Sequence, residues 1–143
     1  ATEDSPNESY LGKLIDPNAA GASIVGRGSI PRYKGYAELT WLREGLILGG
    51  KLNYIHSLDD NKAFTSDGKS REVDSWTSLD LVASYSWKPS AGVWFSGTTL
   101  TCGIDNVTDE APPFAAGAFA DGYDTSLYSL AGRRYRIALS RDF

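Results

Sequence analysis

The chain has 143 residues, a length suited to one domain, and a formal net charge of −4. Its pI is near 4.9, so nucleic-acid phosphates are poor partners. No run approaches the roughly 20 apolar residues of a membrane helix, which excludes a helical membrane protein but not a membrane barrel, whose strands read as moderately polar. The single Cys102 leaves no internal disulfide. There is no Met, and Ala1 opens no signal-peptide pattern, so the chain reads as a fragment or a processed piece. Aromatic residues make up 12%, which is rich for so polar a chain.

Residues 1–31 carry no sustained period. Asp16-Pro17-Asn18, Gly21, Gly26, Gly28 and Pro31 are turn formers, and the segment reads as a long external loop. From about 33 to 43 the residues alternate, with Tyr33, Gly35, Ala37, Leu39 and Trp41 on one face. Glu44-Gly45 suits a two-residue hairpin turn. The second strand, about 46–57, then places Glu38 opposite Lys51, Trp41 opposite Leu48, and Tyr54 over Gly35. Residues 57–75 are polar and predict a second long loop. A third strand, about 76–88, carries Leu79, Leu81, Ala83, Tyr85 and Trp87 on one face. A short connection with Pro89 leads to a fourth strand, about 93–106, whose Trp94 is expected opposite Trp87. Residues 107–131 predict a third long loop. The last strand, 132–143, alternates Tyr135, Ile137 and Leu139 against Arg134, Arg136 and Ala138, and stops on Phe143. The expected fold is all-β: an antiparallel meander of about five long strands, an open curved sheet if it stands alone.

Three features separate a membrane sheet from a soluble sandwich, which also alternates. The connections run long, short, long, short, long, as in outer-membrane barrels. The apolar-face aromatics sort by height: Trp41, Tyr85, Trp87, Trp94 and Phe143 near the short turns, Tyr33, Tyr54 and Tyr135 near the long loops. Tyr and Trp favour the two lipid–water boundaries. Tyr33 to Trp41 spans roughly 26 Å of strand, which when tilted fits an apolar band of about 25 Å. The strands also approach membrane length.

The run Asp105-Asn106-Val107-Thr108-Asp109-Glu110-Ala111-Pro112-Pro113, then Gly122-Tyr123-Asp124 with Tyr128, then Gly132-Arg133 and a last strand ending in Phe143, resembles the carboxy-terminal end of TonB-dependent outer-membrane receptors. Pro31-Arg32-Tyr33-Lys34-Gly35 and Leu52-Asn53-Tyr54-Ile55 also look like that family's strand patterns. Val107-Thr108 and Arg141 depart from the pattern. The resemblance implies the last strands of a 22-stranded barrel in the bacterial outer membrane, with the plug and TonB-binding segment absent from this sequence. The implied function is energised import of a scarce nutrient such as a metal chelate or siderophore. Implied partners are outer-membrane lipid, the rest of the barrel and plug, TonB through that plug, and the barrel-assembly machinery, which would read Tyr135, Ile137, Leu139 and Phe143.

No enzyme, cofactor or metal site is expected. His56 reads as a strand-end residue on the Tyr33 side and Cys102 as a small apolar filler. Residues 21–28 lack a phosphate-loop ending, and Asp59-Asp60-Asn61 lacks the rest of a calcium loop. The sequons at Asn7 and Asn106 are weak patterns. Glu38 with Lys51, and Asp105 with Arg134 or Arg136, read as lumen pairs. Two alternatives stay open: a soluble β-sandwich binding module using Tyr10, Tyr123 and Tyr128, and a different outer-membrane barrel such as a porin or adhesin.

Overall fold

The structure is a computed structural model that describes residue 12 and residues 29–89, 94–118 and 122–142. Tyr10, the glycines of residues 21–28, Asn7 and Phe143 lie outside the described residues. The chain is all-β, mostly antiparallel strands in an open sheet, with no helix among the described residues.

Seven strands form: β1 Lys34–Arg43, β2 Leu46–Ile55, β3 Leu58–Phe64, β4 Ser70–Val73, β5 Trp76–Ser86, β6 Thr98–Asp105 and β7 Arg134–Arg141. The main sheet has five strands in the order β1-β2-β5-β6-β7, and β3 and β4 form a separate pair. Neighbours in the main sheet therefore follow chain order, with the β3–β4 hairpin falling between β2 and β5 in sequence only. The chain divides into two compact units. One comprises Ala1–Lys34, Ile55–Trp76 and Pro112–Ser129; the other comprises Gly35–Tyr54, Thr77–Ala111 and Leu130–Phe143.

The β1–β2 turn forms at Glu44-Gly45, both with positive φ (45° and 87°), the sign a type I′ turn needs. Gly is required at the second position: a Cβ on Gly45 would stand 2.7 Å from the Ser86 carbonyl oxygen, to which chain the Gly45 carbonyl is bonded through Ser86 N–H at 2.9 Å. Tyr54 does not cover Gly35, since a Cβ built there meets nothing within 4 Å.

β6 starts at Thr98, five residues later than the alternation suggested. Trp94–Gly97 form a turn instead, closed by Thr98 N–H to the Phe95 carbonyl at 3.1 Å, with Gly97 at φ 70°. Trp87 consequently faces Thr98, its N–H donating to that carbonyl at 2.9 Å, and not Trp94. The register is displaced by four residues. An even displacement returns every side chain to its own face, so the apolar rows still align: Leu81–Ile104–Tyr135, Ala83–Cys102–Ile137 and Tyr85–Leu100–Leu139.

The segment expected as one long loop over 57–75 contains β3 and β4. Leu58, Asp59 and Asp60 pair with Val73, Glu72 and Arg71. Thr65 to Lys69 closes the hairpin, with Gly68 at φ 78° and Thr65 N–H on the Lys69 carbonyl at 2.8 Å. Leu58 and Val73 from this hairpin, with Ala115, make the hydrophobic core of the first unit, flanked by Ala118 and Leu127. The buried Asp60 is satisfied by Gly117 N–H at 2.6 Å, as a buried carboxylate must be. Asp124 accepts from Ser29 N–H at 3.3 Å, from the Ser29 hydroxyl, and from Ser126 N–H at 2.8 Å.

Candidate functional site

Every buried hydrophobic residue among the described ones (Ile55, Leu58, Val73, Ala115, Tyr128) belongs to the first unit. The five-stranded sheet has long, well-registered strands and no buried apolar core of its own. Its apolar face instead stands open. Leu39 and Ile137 are each 78% exposed, Leu139 71% and Tyr135 69%, and Leu48, Leu52 and Leu81 all exceed 40%. Leaving six such aliphatic side chains in water forgoes roughly 5–10 kcal/mol of transfer free energy. That is comparable to the whole stability of an ordinary domain. A contiguous apolar surface of this kind marks a face meant for another apolar phase or partner.

Most of the residues singled out in the sequence fall on this face. Tyr135, Ile137 and Leu139 occupy successive odd positions of β7 and sit at the ends of the three cross-strand rows. The rows are bounded by aromatics. At the tight-turn end, Tyr85 and Trp87 meet edge to face at 4.8 Å, Trp87 meets Phe95 at 5.5 Å, and Trp94 meets Phe95 at 5.7 Å. Trp94 reaches the cluster through Phe95, a residue the alternation had assigned to the opposite face. The turn at Gly45, residue Gly97 and the end of β7 gather at this same end, because Gly45 accepts from Ser86 N–H and Gly97 from Asp142 N–H at 3.0 Å. Trp41 is 47% exposed and Tyr54 37%. In the first unit, Tyr33 lies edge-on to His56 at 5.4 Å, and its carbonyl accepts His56 N–H at 2.9 Å.

The opposite face is mixed: it exposes Tyr36, Leu42, Ile47 and Val82 on its first three strands and carries the sheet's side-chain hydrogen bonds and ion pairs. Ser84 and Thr101 hydroxyls bond at 2.8 Å, and Ser86 and Thr99 at 2.9 Å. Asn53 donates to Ser78 at 3.2 Å and to Asp80 at 2.9 Å. Asp105 bridges both arginines, Arg136 at 2.6 Å and Arg134 at 3.4 Å. The Lys51 ammonium rests 4.9 Å from the Tyr36 ring centroid.

A knot of bonds went unread in the sequence although its residues were noticed. Asn106 N–H donates to Asp80 at 2.9 Å, its side-chain amide donates to the Glu110 carbonyl at 2.9 Å, and its side-chain oxygen accepts Glu110 N–H at 3.0 Å. Asp109, at φ 57°, accepts Arg133 N–H at 2.7 Å. The usable signal was Asn and Asp in alternation with turn formers, the residues that tolerate positive φ and cap local backbone.

Two ionisable groups outside the sheet are displaced. The hydroxyl of Thr65 and the ammonium of Lys69, 3.2 Å away, hold the Asp67 carboxyl below its ordinary range. Burial, and then the Asp124 charge, push Tyr128 up to about 12. No group of His, Cys, Asp and Glu among the described residues is arranged to hold a metal ion. Set against known protein families, curated proteins and solved structures, the chain matches none.

Proposed function

We propose that this chain is the carboxy-terminal part of the wall of a TonB-dependent outer-membrane receptor, whose parent imports a scarce nutrient such as a metal chelate by energised transport. The observation that carries the reading is the uncovered apolar face of the five-stranded sheet, with aromatics at its tight-turn end and hydrogen-bonded polar rows behind it. Hydrocarbon outside and a polar lumen inside account for both faces at once. A β-sandwich would need a second sheet to bury the same rows.

The free edges support the same reading. β1 and β7 end the sheet order. Unpaired strand edges cost several kcal/mol per group in lipid, and a membrane barrel needs at least about eight strands. Further strands on both sides would complete the wall. The family-like residues also support it: Asp109, from the run after β6, is bonded to Arg133, from the Gly-Arg pair before β7.

The test has two parts. The chain is expressed and refolded with and without detergent, and β-structure is followed by circular dichroism. Folding only in detergent is the expected result; a soluble monomer with a sharp thermal transition in water rejects the membrane reading. The coding sequence upstream of Ala1 is then read for a plug and a TonB-binding segment. A porin-like or adhesin-like upstream sequence would reject the transport role while leaving the membrane wall intact.

A further inference from the structure

At the tight-turn end of the sheet lies a half-open cleft of about 380 Å³ whose lining carries both signs of charge beside aromatic rings. Its lining includes Glu44, Lys88, Tyr85, Trp87, Phe95 and Ser86. The rings are fixed to one another, Tyr85 to Trp87 at 4.8 Å and Trp87 to Phe95 at 5.5 Å, both edge to face. Glu44 is held there by its turn, because the Gly45 carbonyl accepts Ser86 N–H at 2.9 Å. Neither Glu44 nor Lys88 forms an ion pair among the described residues, with each other or with a third group.

We propose that this cavity binds the headgroup of a phospholipid carrying a primary ammonium beside its phosphate, an ethanolamine phospholipid. The proposal rests on the membrane reading above. Glu44 and the ring faces take the ammonium, which is attracted both to the carboxylate and to the aromatic quadrupoles. Lys88 takes the phosphate. A purely anionic headgroup would satisfy Lys88 but meet the Glu44 carboxylate with like charge, and a lone cation would meet Lys88 in the same way. A headgroup of both signs satisfies both walls.

A lipid, rather than a free zwitterion, follows from what adjoins the cavity. Tyr85 lies in one cross-strand row with Leu100 and Leu139, and the next row is Ala83, Cys102 and Ile137. Acyl chains leaving the headgroup would run along these rows, which have no other cover in the sheet's own unit. The volume, near the lower limit for small-molecule sites, suits a headgroup.

The full chain in maltoside micelles is titrated with dihexanoyl-phosphatidylethanolamine, with dihexanoyl-phosphatidylglycerol and with soluble phosphoethanolamine, following tryptophan fluorescence. The ethanolamine lipid should bind about tenfold more tightly than the glycerol lipid, the order expected for one cation–ring and one charge contact. Glu44→Gln should remove most of that preference, and Glu44→Asn, which suits the positive φ at this position, should do the same and so guards against a folding effect. Lys88→Gln should weaken both lipids alike. Equal affinity for the two lipids, or a preference unchanged in both Glu44 variants, overturns the proposal. Phosphoethanolamine binding as tightly as the lipid overturns the lipid source. Vesicle flotation separates the two levels: a chain that never floats overturns the membrane reading along with this one, and a chain that floats without headgroup preference overturns this one alone.

Discussion

The Asp109 carboxylate accepts the backbone N–H of Arg133 at 2.7 Å and lies 3.6 Å from the same residue's guanidinium. Twenty-four residues separate the partners, so this contact closes the connection from β6 to β7 at its base. Asn106 holds the near side of that base through Asp80 and Glu110. The ion pair itself is exposed and worth little; the backbone bond is what sets the position from which β7 begins.

Gly132 packs directly against this closure. A Cβ there would come within 2.7 Å of Asp109 Oδ1, the atom that receives Arg133 N–H. Gly132→Ala should push the Asp109 carboxylate off Arg133 N–H and cost about 1 kcal/mol, the value of one hydrogen bond weakened. Asp109→Asn keeps both the acceptor and a residue type tolerant of positive φ, and should cost no more than ~0.5 kcal/mol; Asp109→Ala should cost about as much as the glycine change. Urea unfolding of the refolded chain in micelles, read by tryptophan fluorescence, checks the order.

Ile137 and Ala138 are adjacent, exposed and on opposite faces of β7. In water an exposed Ile137→Arg would be neutral to within about 0.5 kcal/mol. Facing hydrocarbon near mid-sheet, it should cost roughly 2–4 kcal/mol, while Ala138→Arg on the polar face should remain tolerated. Refolding free energies in lipid vesicles distinguish these outcomes, and equal tolerance at both positions would count against lipid contact.

Tyr128 is 5% exposed, and its hydroxyl and the Trp76 indole N–H are buried without hydrogen-bond partners among the described residues; the two rings stand edge to face at 5.9 Å. Its folded pKa near 12 lies above the ordinary 10. The folded state thus holds a proton that the unfolded chain releases. Stability from this group is complete below pH 10 and falls between pH 10 and 12, by an amount on the order of 2 kcal/mol. Tyr128→Phe should flatten that alkaline decline, and at neutral pH should be neutral or slightly stabilising, since it removes an unsatisfied buried hydroxyl. Urea midpoints at pH 9 and pH 11.5 for both proteins give the comparison.

Leu58 is 1% exposed and anchors the core of the first unit. Leu58→Ala should cost about 2–4 kcal/mol. Amide exchange should quicken across β3 and β4 far more than across β7, whose partners include no member of that core.

The main sheet was legible because period-two alternation survives in every one of its strands, and because Glu44-Gly45 is chemically specific as a turn. Asp105 with Arg134 and Arg136 was legible for the same reason: parity placed all three on one face. The β3–β4 hairpin was not, since Leu58-Asp59-Asp60 lacks the β-branched and aromatic residues that mark strands. What holds it is long-range: Asp60 is satisfied by Gly117, 57 residues away. The β5–β6 register was misplaced because pairing Trp87 with Trp94 also keeps the apolar faces aligned, so alternation cannot tell the two registers apart, whereas Gly97 at positive φ ends the turn later. Lys51 was placed opposite Glu38 by the register of the Glu44-Gly45 turn, and alternation alone gave no sign of the Tyr36 ring beneath its ammonium.

The β5–β6 register, with Leu81 opposite Ile104 and Ser86 opposite Thr99, has a consequence for how such a wall tolerates change. A connection that lengthens or shortens by two residues on either side of the Trp94–Gly97 turn slides one strand along its neighbour yet presents the same faces outward and inward. A change of one residue would turn Ala83, Tyr85 and the rows beyond them inside out. Insertions and deletions that accumulate here over evolution should therefore come in even numbers, and a comparison of connection lengths among descendants of this sheet would show parity preserved where length is not.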